Sequence, residues 1–233
     1  KWGVRMHTHL CETLDEETYC LEKYKLRPID FLESLGWMSD NAWLAHMVHV
    51  NDEEISRLAK AGVGIAHCPT SNLRLGSGVP PVRKYLDAGV NVGLAVDGSA
   101  SNDTSDMLAE ARQAMLVHRV KSGVGSMTAR QALRMATRGG AAVVGRDDIG
   151  QIAAGKAADL AIFDVNRLDY AGSAGDPLAS LLFCGAGHRT KWTIVNGHIV
   201  VENGVLKNID EGEVTRKANL ACLDLLRKAG AIA

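Results

Sequence analysis

Three short apolar runs in this chain each end in a histidine, and a fourth ends in an aspartate. Residues 4–9 carry His7 and His9 and lead into Leu10, Cys11 and Glu12. Ala42-Trp43-Leu44-Ala45 runs into His46, Val63-Gly64-Ile65-Ala66 into His67, and Val92-Gly93-Leu94-Ala95-Val96 into Asp97. Each run is apolar throughout rather than alternating, the pattern of a parallel strand covered on both faces. A polar or ionisable group at the end of such a strand is costly to bury unless it is paired or binds metal. Four in succession demand strands that lie side by side and deliver their last residues to one cleft.

Helical segments separate these runs. Residues 14–26 read as one helix, and Pro28 opens a second that Gly36 ends. Asn51 or Asp52 caps a third, with Glu54 in its first turn, Ile55, Leu58 and Ala59 as its apolar stripe, and Gly62 as its stop. Residues 68–78 are expected to form a long loop, and 81–88 a short helix with Val82, Tyr85 and Leu86 inward. Helices follow over 106–120 and 128–138, where Thr128 and Gln131 make a capping box. Strand ends at residues 9, 46, 67 and 97 are spaced by about 20 to 40 residues, which fits the strand-helix staves of a barrel. The expected fold class is α/β, a (β/α)8 TIM barrel of the metal-dependent hydrolase type, whose loops after the strands share one cleft.

Beyond residue 150 the pattern changes. Gly150 to Asp159 is turn-rich and leads into a strand over 160–164. Residues 192–201 read as two strands joined by an Asn196-Gly197 hairpin turn. The expected organisation is a barrel segment at 1–150, a small β segment at 151–210 and a C-terminal amphipathic helix at 211–233.

The net charge of −1, with acids and bases interspersed, argues against a nucleic-acid footprint or a membrane-surface patch. No apolar run approaches the roughly 20 residues of a membrane-spanning helix. Lys1 to Arg5 flows straight into a strand and does not read as a signal peptide. The five cysteines are odd in number and contain no CxxC, which favours reduced cysteines in a cytoplasmic protein. Cys68 beside His67 does not read as a nucleophile pair, because adjacent strand residues point to opposite faces.

A neutral imidazole such as His9 suits zinc or Fe(II). Glu12, three residues on, can face the same cleft and carry a proton without being a ligand. Asp97 at the end of an apolar strand is a metal or paired-charge candidate. His46 and His67 occupy equivalent strand ends, whereas His49 reads as a core or loop residue. His7 shares a face with His9, and either joins a two-histidine site or supports His9 from deeper in the strand.

This set resembles the second half of an amidohydrolase-superfamily enzyme, in the aminohydrolase branch with guanine deaminases, S-adenosylhomocysteine deaminases and triazine hydrolases. The resemblance is carried by His7-Thr8-His9-Leu10-Cys11-Glu12, Ala45-His46-Met47-Val48-His49, residues 67–76 (HCPTSNLRLG) and Val96-Asp97-Gly98-Ser99-Ala100-Ser101-Asn102. Gly155-Lys156-Ala157-Ala158-Asp159-Leu160 is similar to the return into that family's β-sandwich. Gly36-Trp37 and Ser101-Asn102-Asp103 are most similar to 8-oxoguanine deaminases. The resemblance implies that barrel strands five to eight are present, with part of a β-sandwich. It implies His9 and Asp97 as ligands of one divalent metal, zinc before iron, with two further histidines on a first strand outside this sequence.

Catalytic roles would fall to Glu12 as proton shuttle, His46 as the group that activates water and holds the oxyanion, and Asp97 as proton acceptor. His67 and Asn102 would lie on the substrate side. The implied reaction is hydrolytic deamination of a purine-like heterocycle, 8-oxoguanine or guanine, with release of ammonia. The alternatives are a triazine hydrolase displacing chloride or an alkylamine, and a non-catalytic or truncated relative. The implied partners are a small heterocycle, the missing half of the barrel and further copies in a homo-oligomer, with neither nucleic acid nor membrane.

Overall fold

The computed structural model describes residues 4–184 and 189–232. Residues 1–3, part of the stretch read as no signal peptide, lie outside them. The chain divides into two compact units, residues 1–156 with 165–188, and 157–164 with 189–233. Residues 165–188 thus return to the first unit, against the continuous 151–210 segment expected.

The first unit is built on β1 (Met6–Leu10), β2 (Ala42–His46), β3 (Gly64–His67) and β4 (Val92–Leu94). They form one parallel sheet in the order β1-β2-β3-β4, with His9 opposite Ala45 and Leu10 opposite His46. Helices α1 (Leu14–Tyr24) and α2 (Pro28–Ser34) join β1 to β2, and α3 (Asp52–Ala61) joins β2 to β3. Next come α4 (Pro69–Leu75) and α5 (Val82–Asp87), then α6 (Met107–Ser122), α7 (Ala129–Arg134), α8 (Gly140–Val143) and α9 (Pro177–Phe183). A single π-helical stretch, Met135–Gly139, fuses α7 to α8 and carries the helix past the expected stop at Arg138.

The caps follow from the sequence. Thr13 accepts from the Glu16 amide, and Asn51 and Glu54 form a reciprocal capping box. Glu54 is buried, and the Arg27 guanidinium donates to it at 2.6 Å and to Glu17 at 2.6 Å, so one arginine ties α1 to α3. Leu44, Ile65, Leu58, Ile29 and Met115 are fully buried in the core. Side chains of this kind contribute about 1.5–3 kcal/mol each.

The 135–140 stretch presses directly on β4. A Cβ on Gly93 would meet the Gly140 Cα at 2.8 Å, and one on Gly139 would collide with the Val92 carbonyl. Glycine is required here by space.

Three expectations need correction. Residues 68–78 are not a continuous loop, because Pro69 opens the helix α4; proline at the first helical position forfeits no hydrogen bond. The fourth strand ends at Leu94, three residues before Asp97, whose backbone is left-handed. β1 is not covered on both faces: His7 and His9 are exposed, and β1 pairs only with β2 among the described residues.

The second unit holds β5 (Leu160–Ile162), β6 (Trp192–Val195), β7 (His198–Glu202) and β8 (Val205–Leu206) in one antiparallel sheet of that order. The Asn196-Gly197 turn joins β6 to β7 as expected; β8 was not anticipated. The last helix, α10 (Glu211–Lys228), is capped by the Asp210 side chain and buries no residue. No helix of the described residues is long and apolar enough to cross a membrane.

Candidate metal and proton-transfer site

The ends of the first two strands are cross-linked by backbone hydrogen bonds. The Met47 amide donates to the Leu10 carbonyl at 3.1 Å, and the Val48 and His49 amides to the Cys11 carbonyl at 2.8 and 2.9 Å. Cys11, His46, Met47 and Asp97 all have positive φ, at 52°, 70°, 49° and 66°. This left-handed geometry costs a non-glycine residue about 1–2 kcal/mol. It persists only where surrounding bonds over-determine it. Here it turns the strand-end side chains into one cleft.

Three of them converge. His9, His46 and Asp97 each offer a ligand atom, and the three atoms lie within 4.8 Å of one another. His9 Nε2 is 3.2 Å from Asp97 Oδ1. His46 is fully buried, and its Nε2 has no hydrogen-bond partner. A buried nitrogen without a partner, facing a second imidazole and a carboxylate, fits a divalent cation of the zinc or Fe(II) type.

Asp97 is braced from two sides. Its Oδ2 accepts from Ser71 Oγ at 2.6 Å and from Ser101 Oγ at 2.8 Å. Burial is the largest influence on this carboxyl and pushes its pKa up. Hydrogen bonds from Ser71, Ser101, the Gly98 backbone and His9 outweigh it, holding Asp97 well below the usual carboxylate range.

Glu12 completes the group. Its Oε2 lies 3.6 Å from His46 Nε2, and its Oε1 accepts from Ser77 Oγ at 3.0 Å. Its own amide and that of Cys11 donate to the Glu16 carboxylate at 2.8 and 3.0 Å. The first turn of α1 therefore fixes the loop that carries Glu12.

The remaining expected residues sit around this group rather than in it. His67 is buried with Nε2 3.1 Å from His118 Nε2 on α6, and its Nδ1 has no partner. Burial first, then His118 and His46, lower the His67 pKa well below its ordinary value; burial and Lys121 lower His118 to about 4. The pair is neutral and shares one N–H. The Asn102 amide donates to Glu110 at 2.8 Å and its carbonyl accepts from the Ser105 amide at 3.3 Å. Glu110 in turn accepts from the Thr70 amide at 3.1 Å, so Asn102 ties its loop to α6 and to the start of α4.

His7 stacks on Trp43 with ring centroids 3.5 Å apart, its Nδ1 3.2 Å from the Trp43 carbonyl, outside the three-group cluster. His49 Nε2 donates to the Ser77 carbonyl at 3.0 Å. Cys68 is buried, and burial pushes its thiol up to about 12, which leaves it protonated and inert.

Sequence reasoning missed Ser71, Asn72, Ser77, Ser101, Glu110 and His118. One signal was available: Pro69 directly after a strand end is a helix-start mark, and a helix there would have placed Ser71 and Asn72 beside the site.

The chain belongs to the amidohydrolase family, whose model matches residues 1–200. It is 50% identical over 207 residues to an 8-oxoguanine deaminase from Pseudomonas aeruginosa, covering 89% of this chain and 46% of that protein. It is 37% identical over 228 residues to a 5-methylthioadenosine/S-adenosylhomocysteine deaminase from Natronomonas pharaonis, covering 97% of this chain and 52% of that protein. Among solved structures, the zinc complex of atrazine chlorohydrolase from Arthrobacter aurescens TC1 superposes with a TM-score of 0.90 at 40% identity, covering 94% of this chain and 49% of that one. An adenosine deaminase from Xanthomonas campestris with bound zinc gives 0.91 at 32% identity, covering 96% and 51%. The chain spans about half the length of the relatives it matches.

Proposed function

We propose that this chain supplies the proton-handling side of a metal-dependent aminohydrolase that removes the exocyclic amine of a purine-like heterocycle, 8-oxoguanine or guanine, as ammonia. The observation that carries the reading is the convergence of His9, His46 and Asp97 on one point, with Glu12 beside the unpartnered His46 Nε2. The likeness to 8-oxoguanine deaminase supports the substrate class.

His9 and Asp97 would hold the metal together with two histidines from a first barrel strand outside this sequence. A divalent cation held there, zinc before iron, supplies the acidity that makes water a nucleophile near neutral pH. Asp97 takes the proton of the attacking water on Oδ1, since Oδ2 is filled by two hydroxyl donors. Glu12 carries a proton to the ring nitrogen beside the reacting carbon; such general acid–base help is worth roughly 10² to 10⁴ in rate. His46 assists the water and then faces the developing oxyanion. His67 and Asn102 shape the substrate side, Asn102 through the loop it ties to α6.

In this reading the four parallel strands belong to the second half of a (β/α)8 barrel, β5 to β8 to part of a β-sandwich, and 211–233 is a terminal helix. The missing barrel half covers the free edges of β1 and β4, and the enzyme is cytoplasmic and homo-oligomeric.

The likeness to atrazine chlorohydrolase favours a second reading, displacement of chloride or an alkylamine from a triazine. The two separate when the full-length protein is tested for ammonia and chloride release on purines, pterins and triazines. Ammonia from 8-oxoguanine or guanine supports deamination; chloride from a triazine with no ammonia from any purine overturns it.

A further inference from the structure

His46 has two ring nitrogens and, when neutral, one proton. Which nitrogen carries it decides whether the cleft receives a lone pair or a donor. The His46 Nδ1 lies 2.8 Å from Asn72 Oδ1, and both residues are buried away from water. The Asn72 backbone is held in place: its main-chain amide donates to the Cys68 carbonyl at 3.0 Å, and its main-chain carbonyl accepts from the Ser77 amide at 3.0 Å. The other nitrogen, Nε2, makes no hydrogen bond, although the Glu12 carboxylate is only 3.6 Å away.

We propose that Asn72 is a positioning residue that pins the His46 proton on Nδ1, so that His46 meets the site with an Nε2 lone pair. The inference deepens the proposed aminohydrolase reading: while Asp97 takes the proton of the water, His46 Nε2 accepts a hydrogen bond from that water, and the Asn72 side-chain oxygen holds the ring in the form that can do so. α4 serves three groups at once, with Ser71 on Asp97, Asn72 on His46 and Ser77 just beyond it on Glu12.

The test uses ¹⁵N-histidine NMR on the full-length zinc-loaded protein, together with steady-state kinetics. In the wild type, His46 should show Nδ1–H and no Nε2–H; an Nε2–H tautomer overturns the proposal whether or not any substrate turns over, and so separates its failure from that of the deaminase reading. Asn72→Leu removes the acceptor and should release the tautomer and lower kcat about 10- to 100-fold, with KM little changed. Asn72→Asp keeps an acceptor and should hold the Nδ1–H tautomer and recover most of kcat. An unchanged tautomer in Asn72→Leu, or an equal loss of kcat in Asn72→Asp, overturns it.

Discussion

The two units handle their sheets in opposite ways. In the parallel sheet, β3 and β4 are buried along their whole length and β2 nearly so. In the antiparallel sheet no strand residue is buried, and β8 is exposed throughout. Parallel strands need crossover helices, and those helices seal the sheet and carry the residues that brace the strand ends. Antiparallel strands connect through short turns that bring no such cover. The titratable cluster therefore lies in the first unit, where a carboxylate and two imidazoles can be held in fixed positions.

The comparison can be broken in several ways, beginning with the largest expected effect. Asp97→Asn and Glu12→Gln in the full-length protein should each lower kcat by roughly 10² to 10⁴ with the circular dichroism unchanged. Near-normal turnover would remove the first unit's claim to the chemistry.

Next is burial itself. Leu44→Ala, in β2, should cost about 2–5 kcal/mol in urea unfolding. Ile199→Ala, in the exposed β7, should cost under about 1 kcal/mol. Equal losses would show that the two sheets are not differently covered.

The buried imidazoles give a pH test. The ordinary value for His118 is 6.5 and its value in the fold is about 4, so between these the unfolded chain binds more protons. Stability is then full above about pH 6.5, falls as pH drops through the window and levels off near 4. His67 shifts in the same direction and adds to the fall. The His118 contribution is on the order of 3 kcal/mol. Urea midpoints across this range should flatten in His118→Asn; an equally steep fall in that variant would place its cause elsewhere.

Smallest is the close approach at β4. Gly139→Ala should cost about 1–3 kcal/mol, because the new methyl collides with the Val92 carbonyl and crowds the Arg134 carbonyl oxygen, both backbone atoms. A neutral result would mean that the π-helical stretch does not press on the strand.

Much of this was legible in one dimension. Apolar runs ending in His9, His46, His67 and Asp97 announced parallel strands sharing one rim, because few other folds tolerate a polar group at each strand end. The caps at Asn51 and Thr128 were readable for a similar reason: a helix start is a local contract between residues three apart. α4 was hidden because Thr70, Ser71 and Asn72 carry the composition of a loop, which outweighed the helix-start mark of Pro69.

What the sequence determined alone was therefore the inventory: four strand ends, their direction, and the residue types able to bind a cation or move a proton. What only the tertiary structure decided was which of these meet. His9 and Asp97 are 88 residues apart in sequence yet 3.2 Å apart in space. Ser77 reaches back 65 residues to Glu12. His67 turns to His118 instead of joining the cluster, and His46 bends into a left-handed backbone to do so. Such choices depend on distances across the sheet and on backbone strain that distant hydrogen bonds offset, and no local spacing encodes either.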